Sequence, residues 1–224
     1  DFDYTGAASN ESGTWYVRNG QVDFGYTGVI EGKKGSRSYQ YYFINGKANE
    51  NLTGVFYTKV NGAEGWYGFY KGELATSDDY YEAPGRVLSN VSGWWYINPK
   101  TGLVDFNYNG LGITEDDDWY HYWYVENGQV TYNKNDVIKG NVNGVNAWWH
   151  VVESKVILDT TVAKNSNGWW YIGTDGKVDF GFSGIASNEN GTWYIENGKV
   201  NFTYSGTYED ENGRIYDIKS GNVA

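Results

Sequence analysis

"GTWYVRNGQVDFGYTG", residues 13–28, decides how the chain is read. Asn19-Gly20 stands between two runs that alternate apolar and polar. Such an Asn-Gly pair is the strongest short signal of a β-hairpin, because a type I′ turn needs positive φ at both central residues. With this turn fixed, Val17 is predicted to face Val22, Tyr16 to face Asp23, and Trp15 to face Phe24. The two-residue period of a strand then places Trp15, Val17, Val22, Phe24 and Tyr26 on one face, and Thr14, Tyr16, Arg18 and Asp23 on the other. The first face is expected to be the core, with Trp15 and Phe24 as its cross-strand staple.

The stretch recurs. "GWWYINPKTGLVDFNYNG" (93–110), "GWWYIGTDGKVDFGFSG" (168–184) and "GTWYIENGKVNFTYSG" (191–206) repeat it closely. Weaker copies are "YQYYFINGKANENLTG" (39–54), "GWYGFYKGEL" (65–74), "HYWYVENGQVTYNKND" (121–136) and "AWWHVVESKVILDTTV" (147–162). Self-similarity at a fixed period marks a repeat architecture, and a lone hairpin is marginal in water, so the copies must stack. The expected fold is all-β: one array of stacked β-hairpin repeats over 1–224, solenoid-like or an extended meander. Links of differing length divide it into plainer repeats at 1–38 and 163–224 around an elaborated middle, 39–162. Long links such as "VIEGKKGSRS" and "VFYTKVNGAE" are expected to form extra hairpins, and short ones such as "IASNEN" simple loops. The opening "DFDYTG" matches Asp23 to Gly28, which suggests a whole number of repeats from a longer array.

Composition limits the functions available. The 224 residues include 31 Gly and only 2 Pro, which favours ordered turns over a disordered tract. Tyr, Trp and Phe number 22, 11 and 9, enough to supply both core and ligand platforms. Cysteine is absent, which leaves no disulfide or thiolate chemistry. A net charge of −11 lacks the basic stripe that nucleic acid needs. No apolar run reaches membrane-spanning length. No cofactor, metal or catalytic signature is present either. "TEDDD" and "YEDEN" lack the spaced ligands and glycine of a calcium loop. His121 and His150 fall on positions that Gly or Tyr fill in other copies. No enzyme is expected.

"GTWYIENGKV" (191–200), and the fuller pattern W-W-Y-I…G-K-V-D-F-x-Y-x-G, resemble the choline-binding and glucan-binding cell-wall repeats of Gram-positive surface proteins, starch-adherence proteins of gut bacteria among them. The resemblance implies a β-hairpin solenoid, an extracellular, cell-surface or secreted location and a non-catalytic binding role. Choline-binding repeats carry a Trp where this chain has Val29, Leu111, Ile185 or Thr207. A cage short of one aromatic wall loses cation–π attraction, which turns the implied ligand from choline towards saccharide.

Two sets of side chains are candidate ligand contacts. The position before the Trp-Tyr pair reads Thr14, Gln40, Trp66, Trp94, Tyr122, Trp148, Trp169 and Thr192 along the copies, so the inner ones place a ring there. Such a ring beside Asp105 or Asp179 suits a sugar's apolar face and hydroxyls, but hairpin stacking into a second core explains it equally well. Inserted acid–aromatic clusters form the other set: Asp117, Asp118, Trp119, Tyr120 and Tyr122, then Tyr80 and Tyr81 beside Asp78 and Asp79. If the strand from Trp119 to Val125 is continuous, Tyr120, Tyr122 and Tyr124 line its outer face. The leading expectation is a carbohydrate-binding module for an α-glucan such as starch or a maltooligosaccharide, with Trp119, Tyr120, Tyr122, Asp117, Asp118, Trp66, Tyr80 and Tyr81 as its contacts. An adhesin that binds a host protein, or a repeat anchored to cell-wall choline or glycan, is the competing expectation.

Overall fold

The computed structural model describes residues 2–34, 37–76, 85–115 and 119–224. Among these residues the chain is all-β, with 25 strands in three antiparallel sheets and no helix. It divides into two compact units, one of residues 1–120 and 125–130, the other of 121–124 and 131–224.

The first unit contains four hairpins: Gly6–Asn10 with Gly13–Arg18, Gly28–Lys34 with Arg37–Ile44, Gly54–Val60 with Ala63–Tyr70, and Val87–Asn90 with Gly93–Tyr96. The second unit also has four: Asp136–Val142 with Val145–Val152, Thr161–Asn165 with Gly168–Ile172, Gly184–Asn188 with Gly191–Glu196, and Gly206–Glu209 with Ile215–Lys219. Strands Gly110–Glu115 and Tyr120–Glu126 complete the series.

The main hairpin is not the one that Asn-Gly marks. Trp15 stands opposite Ala8, and Val17 opposite Gly6, across a turn at residues 11–12. The Asn-Gly turn is present, with φ of 50° at Asn19 and 75° at Gly20, but its second arm is only Gln21–Val22. The expected Val17–Val22 pair forms. Beyond it, Asp23 N–H donates to Tyr16 O at 3.0 Å and the ladder stops, because the Asp23 carboxylate accepts the Gly25 N–H at 3.0 Å and bends the chain away. Links therefore serve as first arms of the next hairpin, whatever their length. "VIEGKKGSRS" and "IASNEN" play the same part, and the extra residues of the long links lengthen the arms to seven and eight residues. The expectation of extra hairpins in long links and simple loops in short ones is corrected accordingly.

Consecutive repeats are joined by the short second arm, which pairs with the aromatic strand of the repeat before: Trp15 with Lys47, Trp95 with Gln129, Trp123 with Lys155, Trp170 with Lys199, and Trp193 with Asn222. The turn glycine completes the joint. Gly46 donates its N–H to Tyr26 O at 2.8 Å, while its own carbonyl accepts from Tyr16 N at 2.8 Å. A Cβ on Gly46 would lie 2.4 Å from Asp23 O, so only glycine fits so close an approach. At the equivalent position Ser154, fully buried with φ of 66°, carries a Cβ because its loop runs differently. Tyr132 there has φ of 58°, and Lys134 N–H donates to the Ser154 hydroxyl at 3.2 Å.

The core consists of the position that follows the aromatic pair. Phe43, Phe69 and Ile97 in the first unit, and Val151, Ile172 and Ile195 in the second, are fully buried. The Val22 position follows suit at Ala48, Leu74, Val104, Val156, Val178 and Val200. Three predicted faces are wrong, Val22 itself being 37 % exposed although its counterparts are buried. Tyr16, expected outside, is 6 % exposed and packs on Tyr26 with ring centroids 4.0 Å apart. Tyr96 on Tyr108, at 3.5 Å, and Tyr171 on Phe182, at 3.7 Å, repeat this stack. Phe24, expected in the core, is 66 % exposed. The bend at Asp23 carries Phe24 outward and swings Tyr26 back over Tyr16, and a strand period cannot anticipate a bend.

Candidate functional site

Phe24 does meet Trp15, but at the surface. Their rings lie 5.9 Å apart at 75°. The same edge-on corner forms at Trp95–Phe106 in the first unit, and at Trp123–Tyr132, Trp170–Phe180 and Trp193–Phe202 in the second, with separations of 5.6 to 5.7 Å. Phe106, Tyr132, Phe180 and Phe202 are all exposed. Five copies thus place an exposed ring at one position of the repeat, which Glu50, Thr76 and Leu158 occupy in the others.

Four of the corners are anchored by an asparagine. Asn10, Asn90, Asn165 and Asn188 accept from the indole Nε1 of Trp15, Trp95, Trp170 and Trp193 at 2.9 to 3.3 Å. The same Oδ1 atoms accept a backbone N–H two residues on, at 2.8 to 2.9 Å. The spacing Asn-x-x-Gly-x-Trp is plain in the sequence and was overlooked there beside the stronger Asn-Gly signal. Above the indole lies a side chain from the next repeat. Lys47, Lys155 and Lys199 place Nζ 5.1, 5.6 and 5.0 Å from the ring centroids of Trp15, Trp123 and Trp170. The glycine of the motif makes room, since a Cβ on Gly13 or Gly168 would meet Lys47 or Lys199 Cε at 2.9 or 2.5 Å. A groove of about 410 Å³ opens beside this arrangement in the first unit, lined by Ser12, Lys47, Asn49, Glu50 and Asn51 among others. A second, of about 260 Å³, is lined by Glu31, Tyr39, Gln40 and Glu73. Near it the Tyr41 hydroxyl is pushed up to about 12 by burial, reinforced by the Glu73 carboxylate.

The side chains singled out by sequence separate. Trp119 and Tyr120 are 73 % and 56 % exposed. Tyr122 is not outward. It is 6 % exposed, and its hydroxyl lies 2.5 Å from Asn143 Oδ1 and accepts Asn143 N–H at 3.0 Å. The expected outer tyrosine stripe is therefore broken at its middle, because the turn of hairpin 136–152 covers that ring. Asp117, Asp118, Tyr80 and Tyr81 lie outside the described residues, as do Asp78 and Asp79. Along the position before the aromatic pair, Trp66 and Trp94 are exposed, whereas Trp148 and Trp169 are half-buried against the following hairpin. The neighbouring carboxylates serve their own turns: Asp105 accepts from Asn107 N at 3.1 Å, and Asp179 from Gly181 N at 2.9 Å. Asp210, in "YEDEN", accepts from Asn212 N, Arg214 N and the Tyr216 hydroxyl, and the Arg214 N–H leads in holding its carboxyl below the usual range. Among the described residues no three His, Asp or Glu side chains gather into a metal-binding group.

Residues 3–23, 159–179 and 181–201 match a family model described as a choline-binding repeat. No curated protein matches the chain. Among solved structures it aligns with an alternansucrase in complex with isomaltononaose, at 15% identity and a TM-score of 0.26. That alignment covers 98% of this chain and 18% of the other.

Proposed function

We propose that the chain is a non-catalytic carbohydrate-binding module, of extracellular or cell-surface location, whose ligand is an α-glucan such as a maltooligosaccharide. The observation that carries this reading is the exposed aromatic corner, repeated at one position and anchored through the indole N–H. Exposed rings on a rigid scaffold, with Asn, Glu and Lys side chains close by, suit the alternating apolar faces and hydroxyls of a glucan. Anchoring matters because a ring already held loses little rotamer freedom when it binds. Trp119, Tyr120 and Trp66 offer further exposed rings in the first unit. The three matched repeats and the resemblance of the motif to glucan-binding repeats point the same way.

The test is a glycan panel followed by calorimetry on maltooligosaccharides. Binding that weakens when Phe180 or Trp119 becomes Ala supports the reading. Failure of every α-glucan at millimolar concentration overturns it.

The match to choline-binding repeats raises choline as a second reading. Against it, the faces of Trp15, Trp123 and Trp170 already lie under the chain's own lysine ammonium groups. An added quaternary ammonium would have to displace a tethered one. A choline-dependent rise in melting temperature would favour choline over glucan.

A further inference from the structure

The tip of hairpin 54–70 projects beyond its successor. Its arms are seven and eight residues long, while those of the next hairpin, Val87–Asn90 and Gly93–Tyr96, have four each. Register puts Val55, Tyr57 and Lys59 on one face, opposite Gly68, Trp66 and Glu64. This face turns towards the shorter hairpin: Val55 clusters with Leu88, Ile97 and Val104, and a Cβ on Gly68 would lie 2.6 Å from Ile97 and 2.9 Å from Leu88. Cover ends there. Val55 is 3 % exposed, but two residues further out Tyr57 is 59 % and Trp66 42 % exposed.

Tyr57 and Trp66 are direct cross-strand partners, and their rings meet 5.6 Å apart at 71°. They form a corner like those of Trp15 and Phe24, but on strands rather than a bend, and without a lysine of the next repeat in the register position. Lys59 and Glu64 form the next outward pair on the same face, both exposed. Two residues of strand separate the pairs, about 7 Å. An apolar corner thus stands beside one cation and one carboxylate, all on a hairpin braced from the other side by Tyr67, Phe69 and Leu74.

In the second unit, hairpin 136–152 has the same long arms and is followed by the shorter hairpin 161–172. There Trp148 pairs with Lys139 instead of an aromatic residue and packs against the following hairpin, so no exposed corner forms. Tyr122 shows what happens when a long hairpin does follow: the ring is buried under the turn at Asn143.

We propose that the overhanging tip of hairpin 54–70 is a separate sugar subsite, in which Trp66 and Tyr57 hold the apolar face and edge of one neutral hexopyranose unit while Lys59 and Glu64 bond its hydroxyls. The inference rests on the carbohydrate reading above. It adds a site whose rings are presented by unequal arm lengths rather than by the Asp23-type bend.

The experiment is calorimetry of the full chain with maltoheptaose, comparing wild type with Trp66→Ala, Trp66→Phe, Tyr57→Ala and Phe180→Ala. Since Trp66 and Tyr57 are exposed, urea unfolding should show midpoints close to wild type, which separates loss of ligand from loss of fold. Trp66→Ala should weaken binding about tenfold, equivalent to about 1.4 kcal/mol, or remove one binding event, with Trp66→Phe retaining most of it. Wild-type binding by Trp66→Ala and Tyr57→Ala, while Phe180→Ala binds weakly, overturns the tip subsite and leaves the carbohydrate reading standing. No binding by wild type to any α-glucan overturns both.

Discussion

Trp170 lies opposite Lys199 in the strand ladder and also beneath its ammonium, with Nζ 5.0 Å from the ring centroid. One contact orders the backbone and the other closes the ring face, so neighbouring repeats are fastened at a single residue pair. Replacing Lys199 with Ala should cost about 0.5–1 kcal/mol, the range for a cation–π contact at an exposed site. Urea unfolding at low and high salt measures it, and a loss that vanishes in salt would assign the contact to charge rather than to packing.

Asn165 performs three tasks with one side chain. It accepts from Trp170 Nε1 and from Asn167 N, both at 2.9 Å, and donates to Val137 O of the preceding hairpin at 3.1 Å. Asn165→Ala should destabilise the second unit by about 1–3 kcal/mol, because it leaves partners without their bonds. Asn165→Asp keeps the acceptor and loses only the donor, so it should cost less. Equal effects from the two variants would contradict this division of roles.

The turn glycines differ in what surrounds them. Gly46→Ala would press a Cβ to 2.4 Å from Asp23 O at φ of 76°, whereas Gly62, at φ of 86°, has nothing within 4 Å. Gly62→Ala should cost only the left-handed conformation, about 1–2 kcal/mol. Gly46→Ala should cost clearly more and loosen the joint between repeats. Comparing denaturation midpoints of the two variants isolates the close approach from the backbone conformation.

Phe69 is fully buried, with Val60, Tyr67 and Leu74 around it. Phe69→Ala should lower stability by about 3–5 kcal/mol, as for other buried aromatic truncations. A loss below 1 kcal/mol would mean that the stacked core is looser than its burial indicates.

Tyrosine titration should destabilise the array at high pH. Burial raises the Tyr96 and Tyr108 hydroxyls, and burial with Glu73 beside it pushes Tyr41 up to about 12. A tyrosine held protonated by folding contributes its full stability below its unfolded value near 10, and that contribution fades as pH climbs through the folded value. Stability should therefore be level up to about pH 10 and fall between there and 12. Tyrosinate absorbance should rise together with unfolding, whereas titration of all tyrosines near 10 without unfolding would contradict it.

How far the sequence was legible follows from how local each cause is. Asn19-Gly20 could be read as a turn because its φ angles are set by those two residues. Val17 and Val22 could be read as partners because they flank that turn in register, although Val17 is only half-buried and Val22 is exposed. Tyr16 and Phe24 were misplaced because their positions depend on the bend that the Asp23 carboxylate makes. Period-two counting cannot represent such a bend. The true partner of the Trp15 strand, Gly6–Asn10, hid in what looked like a link, although Asn10-x-x-Gly13-x-Trp15 marks its turn. The burial of Tyr122 and the exposure of Trp66 lie further still from local sequence, since each depends on what the following hairpin covers.

The doubly used turn glycine gives the array a direction. Each aromatic strand donates its N–H to a carbonyl supplied by the repeat that follows, as Tyr194 does to Gly221 at 2.8 Å and Tyr16 to Gly46. Trimming residues 1–27 from the front strands the Gly46 carbonyl and also the Gly46 N–H, which loses Tyr26 O. Trimming from the back removes the acceptor for an N–H and uncovers the indole beside it. Shortened versions should therefore lose stability at either new end, and any engineered array of such repeats needs an opening element at its start as well as a closing one at its carboxyl end.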